Sequence, residues 1–200
     1  RYKIREYYNQ FYNPSNMVTI IVGDVDSASA IEKVKKDFNA EYKKPVKNIY
    51  PQEKILTSQA KTLAYGDVQS GYMLVGFRGT KIDDKDSYAL DVLSTILGDG
   101  RSSVFYRNIK ENNQLANSIS AVNTGFKDDG IFYISANFTP EKGSNLQDAI
   151  FEEINNIQKN GVTPEQLRLA KNIIERNTYY ERESISSIAG EIGYTVVTTD

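Results

Sequence analysis

The chain of 200 residues contains no histidine and no cysteine, and these two absences set the chemistry open to it. They remove thiolate nucleophiles, disulfides, imidazole and thiolate metal ligands, and every Ser-His or Cys-His device. Carboxylates remain. Glu152 and Glu153, with Glu181, Glu183 and Glu191, could form an acid pair or hold a hard cation. All fall in helix-like stretches, where a charged side chain is ordinarily a solvated one, and we assign them no site. A second candidate is the turn Gly98-Asp-Gly100-Arg-Ser102-Ser103. A phosphate loop needs a preceding strand and a lysine just before its Ser or Thr; here a helix precedes, and arginine stands at a different spacing. The word therefore reads as a structural turn between packed helices. Free N–H groups at a helix opened by Ser102 would still suit an anion or a peptide carbonyl. The basic cluster Lys43, Lys44 and Lys47 reads as a solvated face.

The elements that must position these residues follow from periodicity. Tyr88, Ala89, Val92, Leu93, Ile96 and Leu97 recur at helical spacing, which predicts a helix with one buried face, and Asp83, Asp84 and Asp86 suit its positive end. Gly98 is expected to take the left-handed conformation that closes this helix, and Ser102 or Ser103 to cap the next one. Upstream, Arg1 to Tyr12 reads as the end of a helix, broken at Asn13-Pro14. Met17 to Val22 reads as a buried strand, and Asp26 or Ser27 as the cap of a helix to about Phe38 whose inner face carries Ala30, Ile31, Val34 and Phe38. Glu41 to Gln59, with Pro45 and Pro51, reads as a linker or surface loop.

Lys61 to Asp67 and Gly71 to Gly79 read as strands, and Met73, Val75 and Phe77 alternate with Tyr72, Leu74 and Gly76 in the second. Asn117 to Thr124 and Gly130 to Phe138 form an antiparallel pair turning at Lys127-Asp-Asp-Gly130. Asn145 to Lys159 is an amphipathic helix ended at Asn160-Gly161. Thr163-Pro-Glu-Gln166 is a capping box opening a long helix to about Glu183, and a further helix starts near Ser184. Strands then helices, twice over, predict an α+β layered domain, its sheet mixed and largely antiparallel and covered by helices. No solenoid-period repeat is present.

Composition narrows the function classes. An apolar content of 40% supports a real core in about one domain's worth of chain. A net charge of −2, from 24 basic and 26 acidic residues, carries no nucleic-acid or polybasic membrane signal. No apolar run reaches the roughly 20 residues that a membrane-spanning helix needs. Zero cysteine suits the bacterial periplasm or cell envelope and the cytoplasm alike, so localisation stays unknown. The chain starts at Arg1 without methionine or signal sequence and ends at Asp200 in a helix-like tract, so a piece of a longer protein is expected.

Three stretches carry a resemblance: Ile96-Leu-Gly-Asp-Gly-Arg-Ser-Ser-Val-Phe-Tyr-Arg-Asn-Ile-Lys-Glu111 with Leu115-Ala116; Tyr12-Asn-Pro-Ser-Asn-Met-Val-Thr-Ile-Ile-Val-Gly-Asp-Val-Asp26; and Thr163-Pro-Glu-Gln-Leu-Arg-Leu-Ala-Lys171. In order and spacing they resemble the C-terminal domain, lacking the zinc motif, of the pitrilysin or insulinase family of zinc metallopeptidases, which includes the mitochondrial processing peptidase. The resemblance implies a single domain over 1–200 of non-zinc type, with 1–16 leading in from an upstream domain. It implies that zinc lies in that upstream domain, on a His-x-x-Glu-His helix this chain cannot supply, and that a second peptidase half, in the same chain or a dimer partner, completes a chamber for peptide substrates.

In active members of that family an Arg and a Tyr seven residues apart reach across the chamber to the substrate. Read word by word, Lys110 stands at the arginine position and Asn117 at the tyrosine position, both substituted. Lysine keeps the charge but loses the bidentate fork, and asparagine is too short to replace a phenol. Tyr106 and Arg107 fall on ordinary helix positions of that register. The resemblance thus implies a domain with no catalytic and no metal residue of its own, forming part of the chamber wall of a peptidase. The alternative is a non-catalytic scaffold or peptide-capture subunit.

Overall fold

The computed structural model describes residues 2–39 and 56–199. The expected linker and its lysine cluster, Lys43, Lys44 and Lys47, lie largely outside these residues. The chain divides into two compact units, Arg1–Tyr65 with Ser184–Val197, and Gly66–Glu183 with Thr198–Asp200.

The first unit holds α1 (Tyr2–Phe11), α2 (Ser27–Asp37) and most of α6 (Ile185–Thr199). Asn13 ends α1: its amide donates to the Gln10 carbonyl, and its oxygen accepts from the Ser15 N–H at the 3-10 turn Pro14–Asn16. Of the two candidate caps of α2, Asp26 serves, accepting the Ser29 N–H at 2.8 Å. Ile31 and Phe38, expected on the inner face of α2, are exposed; Ala30 and Val34 are partly buried. Residues 17–22 and 61–67 are not strands. Met17 does take an extended backbone (φ −124°, ψ 141°), but extension is local, whereas a strand needs a neighbour's N–H and C=O groups at ladder spacing.

The second unit is built on a three-stranded antiparallel sheet of β1 (Gly71–Gly79), β2 (Ser118–Gly125) and β3 (Gly130–Phe138), in the order β1-β3-β2. The hairpin turns where the Phe126 N–H donates to the Asp129 carbonyl and the Asp129 carboxylate accepts the Gly130 N–H. Met73 and Val75 of β1, Phe132, Ile134 and Ala136 of β3, and Ala121 of β2 share one face and join the core. Phe105, Leu97, Ile109, Leu146 and Ile150, all fully buried, come from the helices laid on that face. These are α3 (Lys85–Gly98), a π-helix (Tyr106–Asn112), α4 (Gly143–Asn160) and α5 (Pro164–Glu181). Gly161 (φ 72°) follows α4, and both halves of the Thr163/Gln166 capping box open α5.

Two expectations about α3 need correction. Tyr88, expected inside, is 76% exposed, and Ala89 is exposed as well. The helix is rotated so that Ser87, Asp91 and Gly98 look toward β2, because the Asn123 amide donates to the Asp91 carboxylate at 2.8 Å and, at 3.4 Å, to Ser87. Second, Gly98 is not left-handed; Gly100 is (φ 74°). Gly98 is required by contact: a Cβ there would run into the Ala121 nitrogen and lie 2.8 Å from the Ser120 carbonyl carbon. Of the two candidate caps of the next helix, Ser103 serves. Buried Ser103 donates its hydroxyl to the Gly100 carbonyl at 2.8 Å and accepts the Tyr106 N–H at 3.4 Å, whereas Ser102 is exposed.

Candidate functional site

The two positions singled out by resemblance flank the connection from the π-helix to β2. Lys110 sits in the π-helix with its Nζ 5.2 Å from the centroid of the Tyr106 ring, four residues back, so its charge rests on an aromatic face. Beyond it the Asn113 N–H reaches back to the Asn108 carbonyl and the Leu115 N–H to the Ile109 carbonyl. Gln114 between them is left-handed (φ 50°), and its carbonyl accepts from Lys142 Nζ at 2.6 Å. Asn117 then enters the sheet: its N–H donates to the Asn137 carbonyl at 2.8 Å, and its side-chain amide donates to Asn137 Oδ1 at 2.9 Å. Lys110 and Asn117 thus have separate partners, and among the described residues no hydrogen bond joins them.

Sequence reading passed over Asn137 and Lys142. Asn137 could have been found by counting the hairpin register back from the Asp129-Gly130 turn, which sets it opposite Ser118. Lys142 lies 28 residues from Gln114 and carries no local signal.

Of the turn residues Gly98, Gly100 and Ser102, Ser102 borders a cleft of about 260 Å³, with Arg107, Thr163 and Gln166 beside it at the polar rim and Ile96, Leu169, Ala170 and Ile173 as its apolar floor. The N–H groups at the start of α5 are not idle here, since Thr163 Oγ1 takes the Gln166 N–H. Glu165 is held by both nitrogens of Arg168, at 2.7 and 2.9 Å, and that hydrogen bonding keeps its carboxyl below the usual glutamate range. The glutamates are not brought together. Glu153 accepts from Asn108 at 2.7 Å, tying α4 to the π-helix, while Glu152, Glu181, Glu183 and Glu191 are exposed. Among the described residues no three His, Cys, Asp or Glu side chains are grouped to hold a metal, and no helix is long and apolar enough to cross a membrane.

The sheet also has a second face. Alternate residues carry it in four aligned rows: Tyr72, Asn137 and Ser118; Leu74, Ser135 and Ser120; Gly76, Tyr133 and Val122; Arg78, Ile131 and Thr124. Tyr72 is 75% exposed and Leu74 67%, and the side chains on β3 are only partly buried. The hydroxyls of Ser120 and Ser135 meet at 3.0 Å across the strands. One charge stands among the rows, Arg78 at the last of them, and it pairs with Asp129 at 2.8 Å.

A family model for the peptidase M16 inactive domain matches residues 1–174. The chain belongs to this family. Among curated proteins, this M16 inactive domain is 27% identical over 192 residues to the zinc protease PqqE of Helicobacter pylori, covering 94% of the chain and 43% of that protein. It is 24% identical over 197 residues to an uncharacterized zinc protease of Streptomyces coelicolor, covering 96% of the chain and 43% of the relative. The chain therefore spans less than half the length of these relatives. Among solved structures, a protease from Helicobacter pylori superposes with a TM-score of 0.81 at 24% identity, over 98% of this chain and 49% of that one. A peptidase M16 inactive domain from Pseudomonas fluorescens gives a TM-score of 0.57 at 23% identity over 63% of this chain and 30% of that one. The α+β fold of the M16 inactive domain is the one expected.

Proposed function

We propose that this M16 inactive domain is the non-zinc, C-terminal-type part of a longer pitrilysin-like zinc metallopeptidase, and that it forms part of the wall of the peptide-binding chamber. The observation that carries the reading is the sheet with one face packed by helices and the other exposed at Tyr72 and Leu74 among the described residues, in a domain of this family. A wall needs such a surface, rigid behind and open in front. Peptide substrate, the upstream zinc-bearing domain and a second peptidase half, in the same chain or a dimer partner, belong to the same proposal. The zinc would sit outside this domain, because the residues here offer neither imidazole nor thiolate. The domain's part would be to enclose and orient peptide, with no proton transfer of its own.

A second reading has its own support. Lys110 and Asn117 each have an internal partner, Tyr106 and Asn137, which suits a domain kept for assembly or peptide capture. Cleavage of an unstructured peptide by the full-length protein, with and without chelator, separates the two. Chelator-sensitive cleavage restored by zinc supports the peptidase. No cleavage under any metal condition, with peptide still bound, supports the scaffold.

A further inference from the structure

We infer that the second face of the sheet selects extended peptide stretches that carry no charge. The inference rests on the chamber-wall reading above and adds to it a class of occupant.

The rows on this face are aromatic, aliphatic or hydroxyl- and amide-bearing: Tyr72, Leu74, Tyr133, Ser120, Ser135 and Asn137. A lysine or glutamate laid over them would lose hydration and find no counter-charge, since Arg78 is already neutralised by Asp129. An uncharged stretch loses little by the same contact. Its aromatic and aliphatic side chains cover Tyr72 and Leu74, and the Ser120 and Ser135 hydroxyls, already paired with each other, ask for no charged partner. The face therefore matches a neutral partner by charge, and it rejects both signs.

The test uses the full-length protein with a photo-crosslinking residue at position 72, where the native tyrosine is largely exposed. Three peptides of equal length serve as probes: one of Leu, Tyr, Ser and Asn only, and two in which alternate residues are replaced by Lys or by Glu. We expect the neutral peptide to crosslink roughly two- to fivefold more than either charged one, the range that surface charge terms allow. Leu74→Lys, at a side chain 67% exposed, should keep the fold and raise capture of the Glu peptide while leaving the Lys peptide disfavoured. Equal capture of all three peptides, unchanged by Leu74→Lys, overturns the selection but leaves the chamber wall standing. No capture of any peptide at position 72, while peptide binds elsewhere in the protein, overturns the chamber-wall reading and the selection with it.

Discussion

Gly98 and Ala121 meet backbone to backbone at the point where the end of α3 lies on β2. A Cβ on Gly98 would stand 2.9 Å from the Ala121 Cβ and would run into the Ala121 nitrogen, which is strand backbone and cannot swing aside. Gly98→Ala should therefore destabilise the domain by about 1–3 kcal/mol through overpacking, and Gly98→Val by more. Gly100→Ala meets open space, and its cost is the left-handed backbone alone, about 1–2 kcal/mol. Denaturant midpoints of the variants check this. A Gly98→Ala protein as stable as wild type would mean that α3 does not approach β2 this closely.

The capping box of α5 gives a smaller, local effect. Thr163→Ala removes the oxygen that accepts the Gln166 N–H at 3.2 Å, and should cost about 1 kcal/mol. Thr163→Ser should restore most of it. Thermal unfolding monitored by circular dichroism would read both.

Lys110→Ala removes a contact with the Tyr106 ring and should cost no more than about 0.5–1 kcal/mol, with turnover of the full-length protein nearly unchanged. A large fall in turnover with folding intact would show that Lys110 leaves the ring to work on substrate, as the family's arginine does. Steady-state kinetics on a refolding-competent variant decides between these outcomes.

The cap of α2 gives an acid dependence of known sign. The hydrogen bonds from Ser29 hold the Asp26 carboxyl below its ordinary value, so the folded state favours the charged form. That stabilisation is complete above the unfolded pKa and drains away as pH falls through the depressed folded value. Amide protection in the first turn of α2 should be level above about pH 5 and weaken as the pH falls below the ordinary aspartate value of about 4. Asp26→Asn still caps the helix and should flatten the dependence. Hydrogen exchange followed by NMR at Ser29 would show an unchanged slope if another group were responsible.

The metal prediction concerns the isolated 200 residues. With neither imidazole nor thiolate present, calorimetric titration should show no stoichiometric zinc binding. One tight site would overturn the placement of zinc in another domain.

Elements with local signals were legible in the sequence. Asp26, the Thr163/Gln166 box, Gly161 and the Asp129-Gly130 turn each act within a few residues, and each stands where its residue type implied. What escaped depends on residues far apart. The spacing of Val104, Phe105 and Ile109 suits an ordinary α-helix, and nothing in it announces the wider bonding that makes Tyr106–Asn112 a π-helix. Residues 17–22 have the composition of a strand, but pairing is decided elsewhere in space. The rotation of α3 away from Tyr88 comes from Asn123, 32 residues after Asp91. Gly98 could be glycine for its φ or for its closeness to a neighbour, and only the neighbour distinguishes them. The candidate face was half visible: alternation in β1 showed that it has two sides, while its uncharged rows required the register of all three strands.

The strand order β1-β3-β2 also has a consequence in time. Among the described residues β1 pairs with β3 alone, so on the ribosome it emerges with α3 behind it and has to wait for its partner. Roughly fifty residues separate the two strands, several seconds of synthesis at about 5–20 residues per second. Throughout that interval Met73, Leu74, Val75 and Phe77 lie on a segment without its β3 partner, and an unpaired strand edge invites association. Nascent chains halted before residue 130 should therefore recruit holding chaperones, and those released past Phe138 should shed them.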